Sequence, residues 1–462
     1  MIRTKTAIQK VFSKRFIKKH YLLLLILLLA GFLRFYRYPN FPVVGESEDE
    51  RAWTMIGASL IQEGKPSSWS YFEVYEEKGL REWHGKDPIV SPALDHPPLF
   101  ALIPGAFHSL KAKWSVYPSI KLIRFPILLM GVFNVFLLYL VTQTLFKKKT
   151  ISLLAALIYA TAPIFVFSSR LVMAENFLVT LMLILIYLLK QNNWAKKQLL
   201  ILIIICSLAI FSKVSGITLA LGTIFYALLI KNRQVLIAGI MGLIFGIFLF
   251  AVYGAFYDWS IFFKIFTSQA GRKLGLATLH NRFFLHPTVV AKIFFDGWPI
   301  LGLISTLALF FQDDKNFLII KSFFLVNLFF ILATVGEQSF NGWYDIVFHP
   351  LFAISIAWLF VDCFYKKNYL FISIMAVLLL PVIRMALVQT WAYFDLSNLA
   401  LRILMGFCLL PLVLSLILPK KKKLAQYAVL FLALFFLVNN IISVLTINDR
   451  SYGETDKFFG VY

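Results

Sequence analysis

Acidic residues are scarce in this 462-residue chain: 23 Asp and Glu stand against 45 Lys and Arg, for a formal net charge of +22. Charged residues of both signs make up only 15% of the sequence, while 60% is hydrophobic. That balance excludes a soluble globular domain, whose apolar share is about 45–50%. Cysteine is nearly absent. Cys206, Cys363 and Cys408 fall in or at the edge of apolar segments, without metal-ligand spacing, so they imply neither a disulfide framework nor a cysteine-held metal. The alternating segments of about ten residues that mark an outer-membrane barrel do not occur. The first apolar run lacks a small-residue cleavage site and reads as a retained helix rather than a signal peptide. There is no low-complexity linker, no short repeat and no soluble domain of any size.

What the chain has instead is repeated apolar runs of about twenty residues, the length of a membrane-crossing helix, and a mean hydropathy of +0.79. These predict an all-α, polytopic integral membrane protein with residues 1–462 as a single membrane domain. The positive charge sits in short clusters between the runs, a pattern that the positive-inside rule accounts for without nucleic acid as a partner. Arg3, Lys5, Lys10, Lys14, Arg15, Lys18 and Lys19 set the N-terminus in the cytoplasm, and Lys420–Lys423 marks a late cytoplasmic turn. Spans are expected at Tyr21–Phe35, Ile120–Phe146, Ile151–Ser168 and Leu171–Leu189. Leu199–Ile230 has basic residues at both ends and is expected to be a hairpin of two short helices turning near Lys213–Gly216. Further spans follow at Val235–Tyr257, Ile293–Phe311, Phe317–Val335, Ile346–Phe360, Tyr369–Val388, Leu399–Leu418 and Leu424–Ile447, about thirteen in all by length and flanking charge. Two large outer segments result, 37–118 and 258–291.

The scarce acids are not spread evenly. Gly45-Glu-Ser-Glu-Asp-Glu50 gathers four carboxylates just after the first span, and ionisable groups held near a bilayer usually belong to a working site. Ser47-x-x-Glu50 also fits a capping box, with acids complementing a helix dipole; Glu50 can cap while Asp49 acts. Trp53, Ile56, Leu60 and Ile61 then recur at helical spacing, an amphipathic helix suited to the interface, which Gly64-Lys-Pro66 ends. A second such helix is expected from Pro97-Pro98, carrying Leu99, Leu102, Ile103 and Phe107.

Other polar groups face the same side. Arg170 and Glu175 flank a tight outer turn and read either as a local ion pair or as members of a site shared with Asp49. Asp95-His96 reads as a helix start, with His96 held extended before proline. Lys213 reads as a snorkelling lysine at the hairpin turn. Arg272, Lys273, His280, Arg282 and His286 make the second outer segment unusually basic, suited to a phosphate or to lipid headgroups. Arg384 falls within an apolar span, where an arginine is costly unless it meets an anion, a cavity or the headgroups. Glu337, Tyr344 and His349 are unassigned. No His/Asp cluster has metal-ligand spacing; the residues require no cofactor and leave a divalent metal open.

Four of these elements resemble, in order and topology, the protein O-mannosyltransferases and their bacterial relatives, including the aminoarabinose transferases. These are membrane glycosyltransferases of the GT-C class that use polyprenyl-phosphate sugars. Asp49-Glu50 opens an interfacial helix after the first span. His96-Pro-Pro-Leu99 is similar to the family's His-Pro-Pro-Leu-Gly-Lys, with Phe100-Ala101 replacing Gly-Lys. Ser169-Arg170…Glu175 resembles its Ser-Arg…Asp element, with Glu for Asp. Ser212-Lys213-Val-Ser-Gly216 resembles its Lys-x-x-Gly hairpin, and Arg124 fits a family arginine. The resemblance covers about residues 20–230, and the luminal carbohydrate-binding-like domain of eukaryotic members is missing.

The resemblance implies a sugar transferred from a polyprenyl-phosphate carrier to an acceptor hydroxyl at the outer face of the plasma (inner) membrane. The acceptor is a protein, lipid or glycan. It implies Asp49 as the base, with Glu50 supporting it. His96, Arg124, Arg170, Glu175 and Lys213 then serve substrate binding, and Arg272, Lys273, Arg282 and Arg384, read from charge and place rather than from the resemblance, are candidates to bind the donor phosphate. The rival is a transporter or flippase of lipid-linked sugars, which explains the spans and Arg384 but has no need of the large first outer segment; a non-catalytic scaffold is a third reading.

Overall fold

A membrane leaves backbone N–H and C=O groups no water to bond, so long apolar runs satisfy them internally as helices. The computed structural model describes residues 14–42, 49–79, 82–84, 87–191, 194–275, 296–335, 342–387 and 398–446. The chain begins with α1 (Lys14–Phe35) and then enters the first outer segment. That segment holds α2 (Asp49–Glu63), β1 (Ser68–Trp69), α3 (Val74–Glu77), β2 (Glu82–His84), β3 (Asp87–Val90) and α4 (Leu102–Ser109). There follow α5 (Ile120–Phe146), α6 (Lys149–Thr161), α7 (Pro163–Ser168), α8 (Ala174–Lys190), α9 (Lys196–Ser212), α10 (Ile217–Leu229), α11 (Arg233–Tyr257) and α12 (Trp259–Ala270). The second half adds α13 (Trp298–Phe310), α14 (Leu318–Thr334), α15 (His349–Lys366), α16 (Tyr369–Leu378) and α17 (Leu380–Leu387). It closes with α18 (Asn398–Cys408), α19 (Leu410–Ile417) and α20 (Lys422–Thr446).

Among the described residues, five helical stretches are long and apolar enough to cross a membrane, or six if the pair α18–α19, bent by 57°, is one span. The polytopic helical class therefore holds, but the expected number of spans does not follow from helix length. Breaks shorten the elements. Ala162, extended before Pro163 (φ −57°, ψ 124°), splits α6 from α7, because the residue before a proline is pushed out of the helical region. The apolar window of α15 is 89% buried against 28% for α11, so α15 is core and α11 is an outer wall. Leu199–Ile230 is two helices, as expected. Cys206 Sγ in α9 lies 3.9 Å from Thr223 Oγ1 in α10, so the pair runs antiparallel about the turn. At that turn a Cβ on Gly216 would sit 2.0 Å from the Ala209 carbonyl oxygen.

The first outer segment differs most from expectation. It contains a three-stranded antiparallel sheet in the order β1-β3-β2, with Ser68 opposite Val90 and His84 opposite Asp87. Instead of one buried stripe, α2 buries every residue from Ala52 to Ser59. The reason is a second core formed by Trp53, Tyr75, Phe100, Ile123, Val172 and Phe262, which docks the segment onto α5, the loop before α8, and α12. On one side α2 and α4 touch backbone to backbone: a Cβ on Gly57 would lie 1.8 Å from the Ala101 carbonyl oxygen. Gly57→Ala is therefore expected to cost about 3 kcal/mol, since neither backbone can yield. Thermal unfolding in detergent checks this; an unchanged midpoint would contradict the close packing.

Candidate active site

The site is built on a buried arginine frame. Arg124, near the start of α5, donates from Nε and Nη2 to the two oxygens of Glu50 (2.9 and 2.6 Å). Its Nη1 donates to the carbonyls of Tyr38 and Pro42, both at 2.8 Å. The Val172 N–H adds a third bond to Glu50, at 2.8 Å. Arg170 donates to the carbonyls of Phe41 (2.8 Å) and Leu33 (2.5 Å). All three side chains are buried. Together they clamp the end of α1, the start of α2 and the loop before α8, so that the first helical residue of α2, Asp49, is held at a defined place.

This arrangement alters several expectations. The Glu50 carboxylate is engaged by the frame: both oxygens accept from Arg124, and one also accepts from Val172. The donors of Arg124 and the Nη groups of Arg170 point at Glu50 and main-chain carbonyls rather than at an open cavity. Ser47, the other half of the capping box, lies outside the described residues, as do Glu46, His280, Arg282, His286 and Glu337. Arg384 lies in α17, and its side chain is outside the described residues.

Beside the frame, polar side chains gather around Trp53, one helical turn after Asp49. Glu175 forms a buried ion pair with Lys213, Oε1 to Nζ 2.6 Å; a pair so enclosed is held by its geometry. The Lys213 ammonium also lies 5.0 Å from the ring of Tyr344 and 5.9 Å from that of Trp53, within cation–π reach. The His96 ring stacks on Trp53, with centroids 4.3 Å apart and planes 20° from parallel. Its neighbour Asp95 accepts from the Tyr75 hydroxyl and the Ser70 hydroxyl, each at 2.7 Å. The Leu99 N–H donates to the Phe211 carbonyl (3.2 Å), fastening this strip to the end of α9 beside Lys213.

The electrostatics mark one site. Asp49 acts on Asp95, Lys213 and Tyr71, while Arg272 acts on His96 and Tyr71. Burial pushes Asp95 up to about 6, with Asp49 adding to the rise against the hydroxyls of Tyr75 and Ser70. Burial pushes His96 down to about 3, and the Lys213 and Arg272 charges push the same way. His96 is thus neutral at pH 7 and supplies an apolar face and a ring nitrogen, not a charge. Arg272 is half-buried and Lys273, beside it, is exposed.

Asp49, His96, Glu175, Lys213 and Arg272 thus come together. Trp53, Asp95, Tyr71 and Tyr344 join the site without having been assigned to it from sequence: Asp95 reads there as a helix start, Tyr344 is unassigned, Trp53 reads as part of an apolar helix face, and Tyr71 leaves no signal. Among the described residues no group of three or more His, Cys, Asp or Glu side chains is arranged to hold a metal.

Residues 95–259, which carry Asp95, His96, Arg124, Arg170, Glu175 and Lys213, match the family model of dolichyl-phosphate-mannose-protein mannosyltransferase. Among solved structures, ArnT from Cupriavidus metallidurans bound to undecaprenyl phosphate is similar in fold: TM-score 0.58, 12% identity, covering 96% of this chain and 80% of that one. Its apo state gives 0.57 with the same identity and coverage. No curated protein matches the sequence. The family match falls on the stretch that holds three of the four elements of the resemblance, those of His96, Arg170 and Lys213. The structural match carries the fold of a polytopic membrane protein.

Proposed function

We propose that this protein transfers a sugar from a polyprenyl-phosphate carrier to an acceptor hydroxyl at the outer face of the plasma (inner) membrane, in one inverting displacement. The observation that carries the reading is the convergence of Asp49 with Lys213, Glu175 and Arg272 around Trp53, in a site bordered by the family-matching stretch. Asp49 takes the acceptor proton as the hydroxyl oxygen attacks the anomeric carbon from the side opposite the phosphate. The anomeric C–O bond breaks, and its electron pair leaves on the phosphate oxygen. A phosphate needs charge neutralisation rather than a proton, and Lys213 and Arg272 supply it; Lys273, Arg282 and Arg384 are further candidates for the same anion. Glu175 holds the Lys213 ammonium in place. A divalent metal enters no step of this scheme.

The first outer segment then forms the roof of the site, with the N-terminus cytoplasmic. The shorter apolar helices, such as His20–Phe35 and Val214–Leu229, complete crossings toward a total of about thirteen.

Lys213→Met is expected to lower transfer on the order of 10²-fold, the scale for loss of one preorganised stabilising donor. Because that variant strands the Glu175 charge, Glu175→Gln/Lys213→Met is its companion: folding recovers, judged by thermal unfolding, and transfer does not. Recovery of transfer in the double variant would remove Lys213 from phosphate binding. The stereochemistry is checked by NMR of the product, which should carry the anomeric configuration opposite to the donor; retention contradicts a single displacement.

A further inference from the structure

Tyr71 is the one large aromatic side chain that this site presents openly among its described members. It is 63% exposed, yet its hydroxyl lies in the field of Arg272, Asp95, Asp49 and Tyr344. It therefore stands at the open edge of the site, within reach of the acid assigned as base. Its ring is not a loose surface group. Phe72 stacks against it with centroids 4.5 Å apart and planes 25° from parallel, and Trp69 flanks it at 6.3 Å. The backbone beneath is fixed as well: the Ser70 N–H donates to the Pro88 carbonyl at 3.3 Å, and the Ser70 hydroxyl accepts from the Phe72 N–H at 3.2 Å.

Behind the ring lies Asp95. An ionised carboxylate offers about four lone-pair sites. The hydroxyls of Tyr75 and Ser70 take one on each oxygen, which leaves acceptor capacity for hydroxyl groups of a ligand. A rigid aromatic face beside a carboxylate with room for neighbouring hydroxyls suits one chemistry, a pyranose ring. The face meets the ring's C–H groups, a weak but directional contact, and the carboxylate reads its hydroxyls.

We infer that Tyr71, stacked on Phe72 and backed by Asp95, forms a subsite for a pyranose ring of the acceptor, so that the acceptor is a glycan rather than a protein hydroxyl. The inference rests on the proposed transfer reaction for the words donor and acceptor, and for the ring on the exposure and stacking of Tyr71 and the bonds that hold Asp95 to Ser70 and Tyr75 beside it. The acceptor side follows from exposure: Lys213, which meets the phosphate, is 5% exposed, whereas Tyr71 is 63% exposed.

The test uses the full chain in lipid nanodiscs, with methyl α-D-mannopyranoside, methyl β-D-glucopyranoside and methyl α-D-galactopyranoside as probes in saturation-transfer NMR. At least one should receive saturation on the protons of one ring face. Tyr71→Ala should weaken that signal about tenfold with thermal unfolding little changed, and Tyr71→Trp, which keeps an aromatic face, should restore it. In transfer assays, the KM for a glycan acceptor should rise about tenfold in Tyr71→Ala. No saturation of any probe, or an equal signal in Tyr71→Ala, overturns the subsite and leaves Tyr71 as an anchor at the membrane interface. Transfer to a peptide serine with a KM indifferent to Tyr71 also overturns it. Absence of any transfer in the unaltered protein would count against the proposed reaction, while the glycoside signal would still decide the subsite.

Discussion

Asp49→Asn is expected to lower sugar transfer on the order of 10³-fold, within the range for loss of a positioned general base. The substitution keeps the size of the side chain and its place at the start of α2, so the protein should fold and bind donor as before. Asp49 is chosen by its place: it opens α2 where the family resemblance has its first acid, and its charge reaches Asp95 and Lys213. Glu50 has both oxygens on Arg124 and a further bond from Val172, so its lone pairs are held by the frame. Glu175 is paired with Lys213 at 2.6 Å. Asp95 accepts two hydroxyl bonds and sits close to neutrality, pushed up to about 6. Asp49 is half-buried and faces the same cluster. Rates measured with the purified variant at saturating donor check the prediction. Full activity would transfer the role to another carboxylate, Asp95 first.

The second large effect concerns folding. Arg124→Met removes one partner of a buried pair whose side chains are 0% and 3% exposed, leaving Glu50 charged and enclosed. Breaking such a pair destabilises by about 3–5 kcal/mol. The loss is larger in consequence than in number, because the same guanidinium also holds the carbonyls of Tyr38 and Pro42, and with them the approach to Asp49. Glu50→Gln/Arg124→Met should recover part of the stability, since no charge is left without its partner. Thermal unfolding of the parent, of Arg124→Met and of the double variant decides it. A single variant as stable as the parent would show that the frame does not hold the segment.

Some of this was legible in the sequence. Ile120–Phe146 was read as a span and is α5, residue for residue, because a long apolar run between Ser119 and a lysine cluster admits little else. The hairpin within Leu199–Ile230 was legible from charge at both ends. The small sheet was not: β1 has two residues and β3 contains Pro88, too short and too irregular for an alternating pattern. The frame was hidden for a different reason. Glu50 and Arg124 are 74 residues apart, and nothing local distinguishes an arginine that binds a ligand from one that binds a buried glutamate. The site shared this limit. His96 and Lys213 could be named from motifs, whereas Asp95 and Tyr71 join them only because the second core folds residues 68–100 against α2.

The central claim is that a sugar leaves its lipid phosphate and is bonded to an acceptor. Proteoliposomes holding the full chain, with a radiolabelled polyprenyl-phosphate sugar and a glycan acceptor added outside, test it most directly by chromatography of both products. The account predicts label on the glycan and an equal amount of sugar-free polyprenyl phosphate, both lost with Asp49→Asn. Label that stays on its lipid and merely changes leaflet, equally in the parent and in Asp49→Asn, would contradict it and favour transport.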